Sequence, residues 1–243
     1  MRTGSAALVS VMIPVFNCAR YLGEAIESVR DQAYRPIELI VVDDGSDDGS
    51  GDVARRYAPF VRYVYQPRAG IGAARNYALG LARGSLFSFF DADDRFTPGR
   101  LERQVETLDV EPELDAVFGH LREFVSPDLD EPHKALLRRP IERAPCYIEA
   151  AMVIRRDAFY KVGLFSTTLR VGTGIEWYTR LAERGLKTAM LPHIVLERRL
   201  HAQNTSIREH DAITQYCEVL KASLDRRRAA GFRPSARPDG LTR

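Results

Sequence analysis

Four short apolar runs rich in β-branched residues alternate with helical stretches along residues 8–110, and three of the four stop abruptly at acidic or amide side chains. Leu8 to Val15 ends at Asn17, Ile37 to Val42 ends at Asp43-Asp44-Gly45-Ser46, Val61 to Tyr65 is the third run, and Leu86 to Phe90 ends at Asp91-Ala92-Asp93-Asp94. Runs apolar on both faces are the mark of strands buried on both sides, as in a parallel sheet. Between them, Leu22, Ile26 and Val29 recur at i, i+4 and i+7, one helical stripe. Asp52 to Tyr57 reads as a short helix and Gly70 to Ala82 has helical composition. Pro98 suits a first helical turn, and Leu101, Val105 and Leu108 continue that helix. This pattern predicts an α/β fold with a doubly wound, mostly parallel sheet. Right-handed crossovers then bring the carboxyl ends of the strands to one edge, where Asn17, Asp43, Asp44 and Asp91 to Asp94 all emerge.

The second half is less regular. Ala116 to Phe124 reads as a strand, Ser126 to Pro145 as a polar mobile loop, and Ala150 to Ile154 as an apolar segment. Short helices are expected over Asp157 to Val162 and Glu176 to Arg184, strands at Lys187 to Leu191 and Ile194 to Arg199 around Pro192, and a last helix over His210 to Leu224. The expected organisation is a single domain over 1–225, with a regular half at about 8–115 and a mixed half at about 116–225. A disordered basic tail is expected over 226–243.

Charge narrows the function classes. The formal net charge is +2 over 243 residues, and residues 225–243 alone hold six Arg and two Asp, so the body is slightly acidic. No nucleic-acid partner is expected. The three cysteines, Cys18, Cys146 and Cys217, form neither a disulfide framework nor a zinc knuckle, which fits a reducing cytoplasm. No apolar run reaches the roughly 18–20 residues of a membrane span, and the first ten residues lack signal-peptide character. The expectation is a cytoplasmic protein, with contact at a membrane surface left open.

Three motifs carry chemistry. The carboxylates of Asp91, Asp93 and Asp94 repel one another unless a cation or solvent compensates them. At a strand end they suit a hard divalent ion; equally, they could cap the helix that follows. Asp43-Asp44-Gly45 could accept hydrogen bonds from a nucleobase or ribose, or form an ordinary Asp-Gly turn. Gly70-Ile71-Gly72-Ala73-Ala74-Arg75 is a poor dinucleotide fingerprint, because its sixth position is Arg75 and it follows the third strand. An arginine one turn into a helix suits a diphosphate, or is a surface residue. No Gly-x4-Gly-Lys-Ser/Thr loop is present.

Taken in order, Ile13-Pro14-Val15-Phe16-Asn17, Val41-Val42-Asp43-Asp44-Gly45-Ser46, Gly72-Ala73-Ala74-Arg75-Asn76 and Phe90-Asp91-Ala92-Asp93-Asp94 resemble the family 2 glycosyltransferases over about residues 8–205. The resemblance implies a GT-A fold, a sugar-nucleotide donor, and inversion at the anomeric carbon of the sugar passed to a hydroxyl-bearing acceptor. It implies that Pro14, Phe16, Asn17, Asp43 and Asp44 line the nucleoside pocket, with uracil as the family's usual base and dTDP and GDP sugars left open. Arg75 would face the phosphates, Asp91 and Ala92 would lie near the ribose or donor sugar, and Asp93 would hold Mn2+ or Mg2+. His201, in Arg198-Arg199-Leu200-His201, matches a histidine that reaches the metal or diphosphate. Asn204-Thr205-Ser206 is a chance match to a glycosylation acceptor.

Inverting transfer needs a general base for the acceptor hydroxyl. The family's usual acidic pair after a glycine is absent from Gly172-Thr173-Gly174-Ile175-Glu176-Trp177, where Glu176 is the one carboxylate. Glu176 is therefore the expected base and Trp177 a sugar-stacking wall; the other reading is a dipole-favoured helix start and a core tryptophan. Two rivals stand beside the enzyme reading. A nucleotidyltransferase shares the architecture but carries a Gly-rich loop that Pro14-Val15-Phe16-Asn17 lacks, and a non-catalytic sugar-nucleotide binder would explain Thr173 and Gly174.

Overall fold

A computed structural model describes residues 6–131, 134, 139–204 and 213–229. Strand β1 (Val9–Val15) is buried along its whole length between β2 (Ile37–Asp44) and β4 (Leu86–Phe89). Beyond β2 lies β3 (Val61–Gln66), and β1 to β4 pair in parallel in the order β3-β2-β1-β4. The crossovers are α1 (Ala19–Arg30), α2 (Ser50–Arg55) and α3 (Ile71–Leu81). Helix α1 buries Leu22, Ala25, Ile26 and Val29. Each of the three larger side chains contributes about 1.5–3 kcal/mol by leaving water. Because neighbouring strands run the same way, Asn17, Asp43, Asp44 and Asp91 do emerge on one edge.

The sheet continues as β8-β6-β9-β5 and changes character there. Strand β5 (Arg95–Phe96) precedes α4 (Arg100–Val110), which leads to β6 (Ala116–Val125). Then come β7 (Ala144–Cys146), a 3-10 turn at Glu149–Ala151, and β8 (Val153–Arg155). Helices α5 (Arg156–Val162) and α6 (Thr173–Glu183) precede β9 (Thr188–Leu200), and α7 (Ile213–Ala229) packs on α6. Strand β8 is antiparallel to both β4 and β6, whereas β6 and β9 are parallel.

Three expectations change. The two strands drawn around Pro192 are one strand, β9, whose register against β6 shifts between Phe118 and Leu121. Such an irregularity accommodates a residue with no N–H to give a ladder. The tail expected to be disordered from 226 is helical to Ala229, where Arg226 is paired with Glu183 at 2.7 Å; residues 230–243 lie outside the described residues. The polar loop after Ser126 ends in β7, and residues 132–133 and 135–138 of it also lie outside them.

One half-buried acid ties the parallel half together. Glu38 on β2 accepts from the Ser10 hydroxyl on β1, from the Arg83 backbone N–H at 2.6 Å and guanidinium at 3.1 Å, and from Gly84 N–H at 3.1 Å. Burial pushes its carboxyl up, but these donors outweigh it and hold it below the usual carboxylate range. A lowered folded value gives stability that is present above the unfolded value and lost as pH falls through the folded one. Glu38→Gln should therefore cost about 1–2 kcal/mol at pH 7. In melting curves taken from pH 7 down to pH 3, the gap to wild type should close on the acid side.

Candidate active site

The edge where β1, β2 and β4 end is built by short-range hydrogen bonding. Asn17, at φ 48°, donates its backbone N–H to Ser46 Oγ at 3.0 Å, and its Oδ1 accepts from Asp47 N–H at 3.0 Å. The positive φ is one that Asn tolerates better than most residues. Phe16 is exposed beside it, with the Arg68 guanidinium carbon 3.1 Å from its ring centre. Pro14 is buried in β1 opposite Val42. Asp43 accepts from Tyr63 Oη at 2.9 Å and Ser46 N–H at 2.8 Å. Asp44 accepts from Gln66 Nε2 at 2.7 Å and from the backbone N–H of Ala69 and Gly70 at 2.8 and 2.9 Å. Both acids are buried, and Asp44 shapes the loop entering α3.

Asp93 and His201 meet across the fold. Asp93 Oδ2 lies 2.9 Å from His201 Nε2, although 108 residues separate them. The end of β9 brings His201 there. Tyr21 packs on the imidazole at 4.6 Å between ring centres, and Asn204 Oδ1 accepts from His201 N–H at 2.6 Å. Asn204, set aside as a chance motif, also directs its amide at Arg199 O at 3.1 Å and Asp93 Oδ2 at 3.4 Å. Next to this pair, burial pushes Asp94 well above the usual carboxylate range, with Asp93 and Asp91 adding repulsion. Asp94 accepts from Arg199 N–H at 2.9 Å.

Do these residues fit a divalent ion? Among the described residues no group of three or more His, Cys, Asp or Glu is arranged around a common point. Asp93 Oδ2 and His201 Nε2 are instead within hydrogen-bonding distance of each other, and a carboxylate oxygen beside an imidazole nitrogen is a donor pair that Mn2+ accepts. An ion held by two side chains leaves positions for phosphate and water, the habit of Mg2+ at phosphate sites. The concentration of acids here supplies the charge such an ion would neutralise. The residues fit.

A second cluster lies beside the first. Arg75 is buried on α3 and donates from Nη2 to Asp91 Oδ1 at 3.0 Å, from Nη1 to Thr173 Oγ1 at 3.1 Å, and pairs with Glu149 Oε1 at 2.5 Å. Burial raises Asp91 to about 6; Arg75 pulls it down, while Glu149 and Asp93 push it up. The guanidinium expected to face phosphates is thus spent on protein acids. Ala92 is likewise core, packed with Phe90 and Phe96 rather than lining an open pocket.

The acceptor side also departs from expectation. Glu176 gives both carboxylate oxygens to Arg180, at 2.7 and 2.9 Å, and Arg180 also holds the carbonyls of Val162 and Leu164. An i, i+4 pair of this kind fixes the acid to its own helix. Trp177 is no sugar wall: it is 1% exposed, stacked on Phe159 at 4.9 Å, with Nε1–H donating to Gly163 O at 2.7 Å. The residue missed from the sequence is Glu149. Its signal was a single acid opening the apolar stretch Glu149-Ala150-Ala151-Met152.

A curled sheet, parallel at one end and mixed at the other, with acids at the strand ends, defines the GT-A class. Among solved structures, S. aureus TarS in complex with UDP-GlcNAc matches with a TM-score of 0.67 and 18% identity, over 83% of this chain and 60% of that one. A mannosyltransferase from Pyrobaculum calidifontis, in complex with GDP-Man and Mn2+, matches with a TM-score of 0.61 and 23% identity, over 81% and 58%. The profile described as Glycosyl transferase family 2 matches residues 10–168, and the chain belongs to that family. An uncharacterised glycosyltransferase of Rickettsia typhi is 33% identical over 180 residues, 67% of this chain and 55% of that protein. One of Rickettsia conorii is 30% identical over 235 residues, 89% and 38%. The chain therefore spans only part of the length of these relatives. No helix among the described residues is long and apolar enough to cross a membrane.

Proposed function

We propose that the chain transfers a sugar, with inversion, from a nucleoside diphosphate donor to an acceptor hydroxyl, using Mn2+ or Mg2+ held by Asp93 and His201. The observation that carries this reading is the 2.9 Å approach of those two side chains at the strand-end edge. A bound cation there would neutralise the charge that the diphosphate gains as the glycosidic bond breaks. Asp93 and His201 hold the phosphate end in place, and Asp91, the most open acid of the neighbouring cluster, takes the ribose or donor sugar. Phe16, Asn17 and the turn at Asp43 lie on the same edge and would take the nucleoside, with the Phe16 ring and Arg68 as its platform. Stacking and cation–π contacts of that type suit a planar base. A uridine donor is the family's habit, and the TarS complex holds UDP-GlcNAc. The free thiols Cys18, Cys146 and Cys217 fit a cytoplasmic setting.

The test is a donor screen. Wild type is incubated with UDP-N-acetylglucosamine and GDP-mannose, with Mn2+ or with EDTA, and release of nucleoside diphosphate is followed. Metal-dependent release from one donor supports the reading; binding without release in every case supports a non-catalytic binder. In the same assay Glu176→Gln should keep wild-type turnover, because its carboxylate is already committed to Arg180. A large loss of kcat in that variant, with its melting temperature unchanged, would restore Glu176 as the base.

A further inference from the structure

Neither the fold nor the donor site accounts for Glu149. It opens the 3-10 turn before β8 and is 6% exposed. Its Oε1 sits 2.5 Å from Arg75 Nη2, the nitrogen that also donates to Asp91 Oδ1. Its Oε2 is buried and has no hydrogen-bond partner among the described residues. Leaving a buried polar oxygen unsatisfied costs about 1–3 kcal/mol, and more if it is charged. A carboxylate kept only for structure would be expected to use both oxygens.

Oε2 faces the first turn of α6. A Cβ added to Gly174 would overlap that oxygen, so the glycine is what admits the carboxylate. The space that a side chain at 174 would fill is filled from another element by Glu149. Asp91, and through it the donor edge, is reached across a single shared guanidinium. Glu176, the acid within that turn itself, is turned away onto Arg180.

We propose that Glu149 is the general base of the transfer, supplying through space the carboxylate that position 174 lacks; this rests on the glycosyltransferase reading above. The acceptor O–H bond breaks and its proton passes to Glu149 Oε2. The freed electron pair of the acceptor oxygen forms the new bond to the anomeric carbon, from the face opposite the diphosphate. The bond from that carbon to the phosphate oxygen breaks, its electron pair leaves with the nucleoside diphosphate, and the proton on Glu149 passes to water. Arg75 fixes the carboxylate through Oε1 and leaves Oε2 to accept.

The experiment measures UDP release from UDP-N-acetylglucosamine and GDP release from GDP-mannose with Mn2+, water serving as acceptor, together with binding of UDP and GDP by calorimetry. Wild type is compared with Glu149→Gln and with Glu149→Ala combined with Gly174→Asp. Glu149→Gln should bind nucleotide as wild type does and lose about 10²–10⁴-fold in kcat, the usual worth of a general base. The double variant, which returns a carboxylate to the same space, should recover much of that loss. A merely structural Glu149 predicts the reverse, because glutamine still accepts from Arg75 and turnover would persist. Retained kcat in Glu149→Gln beside an active wild type overturns the proposal alone. A wild type that neither binds nucleotide nor consumes donor overturns the donor-site reading and the proposal with it. Should Glu149→Gln lose its melting transition, the double variant decides: turnover there supports the proposal, and its absence overturns it.

Discussion

Asp93→Asn should abolish the Mn2+-dependent part of nucleoside diphosphate binding while the protein stays folded. Asparagine matches the shape of the side chain and can still meet His201 and Asn204, so little stability is at risk. What it removes is the negative charge, and with it the stronger of the two candidate ligands for a hard cation. We expect UDP affinity in Mn2+ to fall by at least about 100-fold, roughly 2.7 kcal/mol, to the level that wild type shows in EDTA. The melting-temperature rise given by UDP with Mn2+ should vanish in parallel, since a ligand stabilises only to the extent that it binds the native state. Calorimetric titration and thermal melts of the same samples check both. Tight, metal-independent binding by the variant would remove Asp93 from the site.

The second large effect concerns stability. Arg75→Leu strips the cation from Asp91, Glu149 and Thr173 at once, and the Glu149 carboxylate, only 6% exposed, loses its counter-charge. Breaking a buried ion pair from one side costs about 3–5 kcal/mol, because the orphaned charge remains. For a chain of this size that corresponds to a fall in melting temperature of roughly 6–20 °C. Adding Glu149→Leu to Arg75→Leu should recover part of the loss, since two apolar groups then replace the broken pair. If the single variant melts within about 1 °C of wild type, a difference of no more than about 0.5 kcal/mol, the cluster contributes little and the guanidinium is free to serve elsewhere.

How much of this was legible beforehand follows from burial and from distance along the chain. Strands β1, β2 and β4 are apolar on both faces, so their runs stand out without alternation, and their acidic ends mark the edge. Strands β5 and β7 hold two and three residues, too few for any periodicity to register. The end of the last helix was hidden by Arg226 to Arg228, which read as a basic tail; Arg226 instead pairs with Glu183 on α6. Asp93 and His201 could be named separately from motif positions, but their approach depends on where β9 ends.

The misplaced roles share one cause. Arg75, Glu176 and Trp177 are residue types that often serve ligands, and each is instead used by the fold: a shared guanidinium, an i, i+4 pair, and an aromatic stack. Partner identity is a tertiary fact that local spacing does not encode. Glu149 shows the converse. Its only mark in the sequence was an acid at the head of an apolar stretch, and its meaning emerges from the missing side chain at Gly174, 25 positions away.

The most direct measurement is a crystal structure grown with UDP and Mn2+, with diffraction collected at a wavelength where manganese scatters anomalously. The account predicts one anomalous peak about 2.0–2.3 Å from both an Asp93 carboxylate oxygen and His201 Nε2, with the diphosphate completing its coordination. A peak bound elsewhere, or UDP seated on this edge with no manganese beside Asp93 and His201, would contradict it.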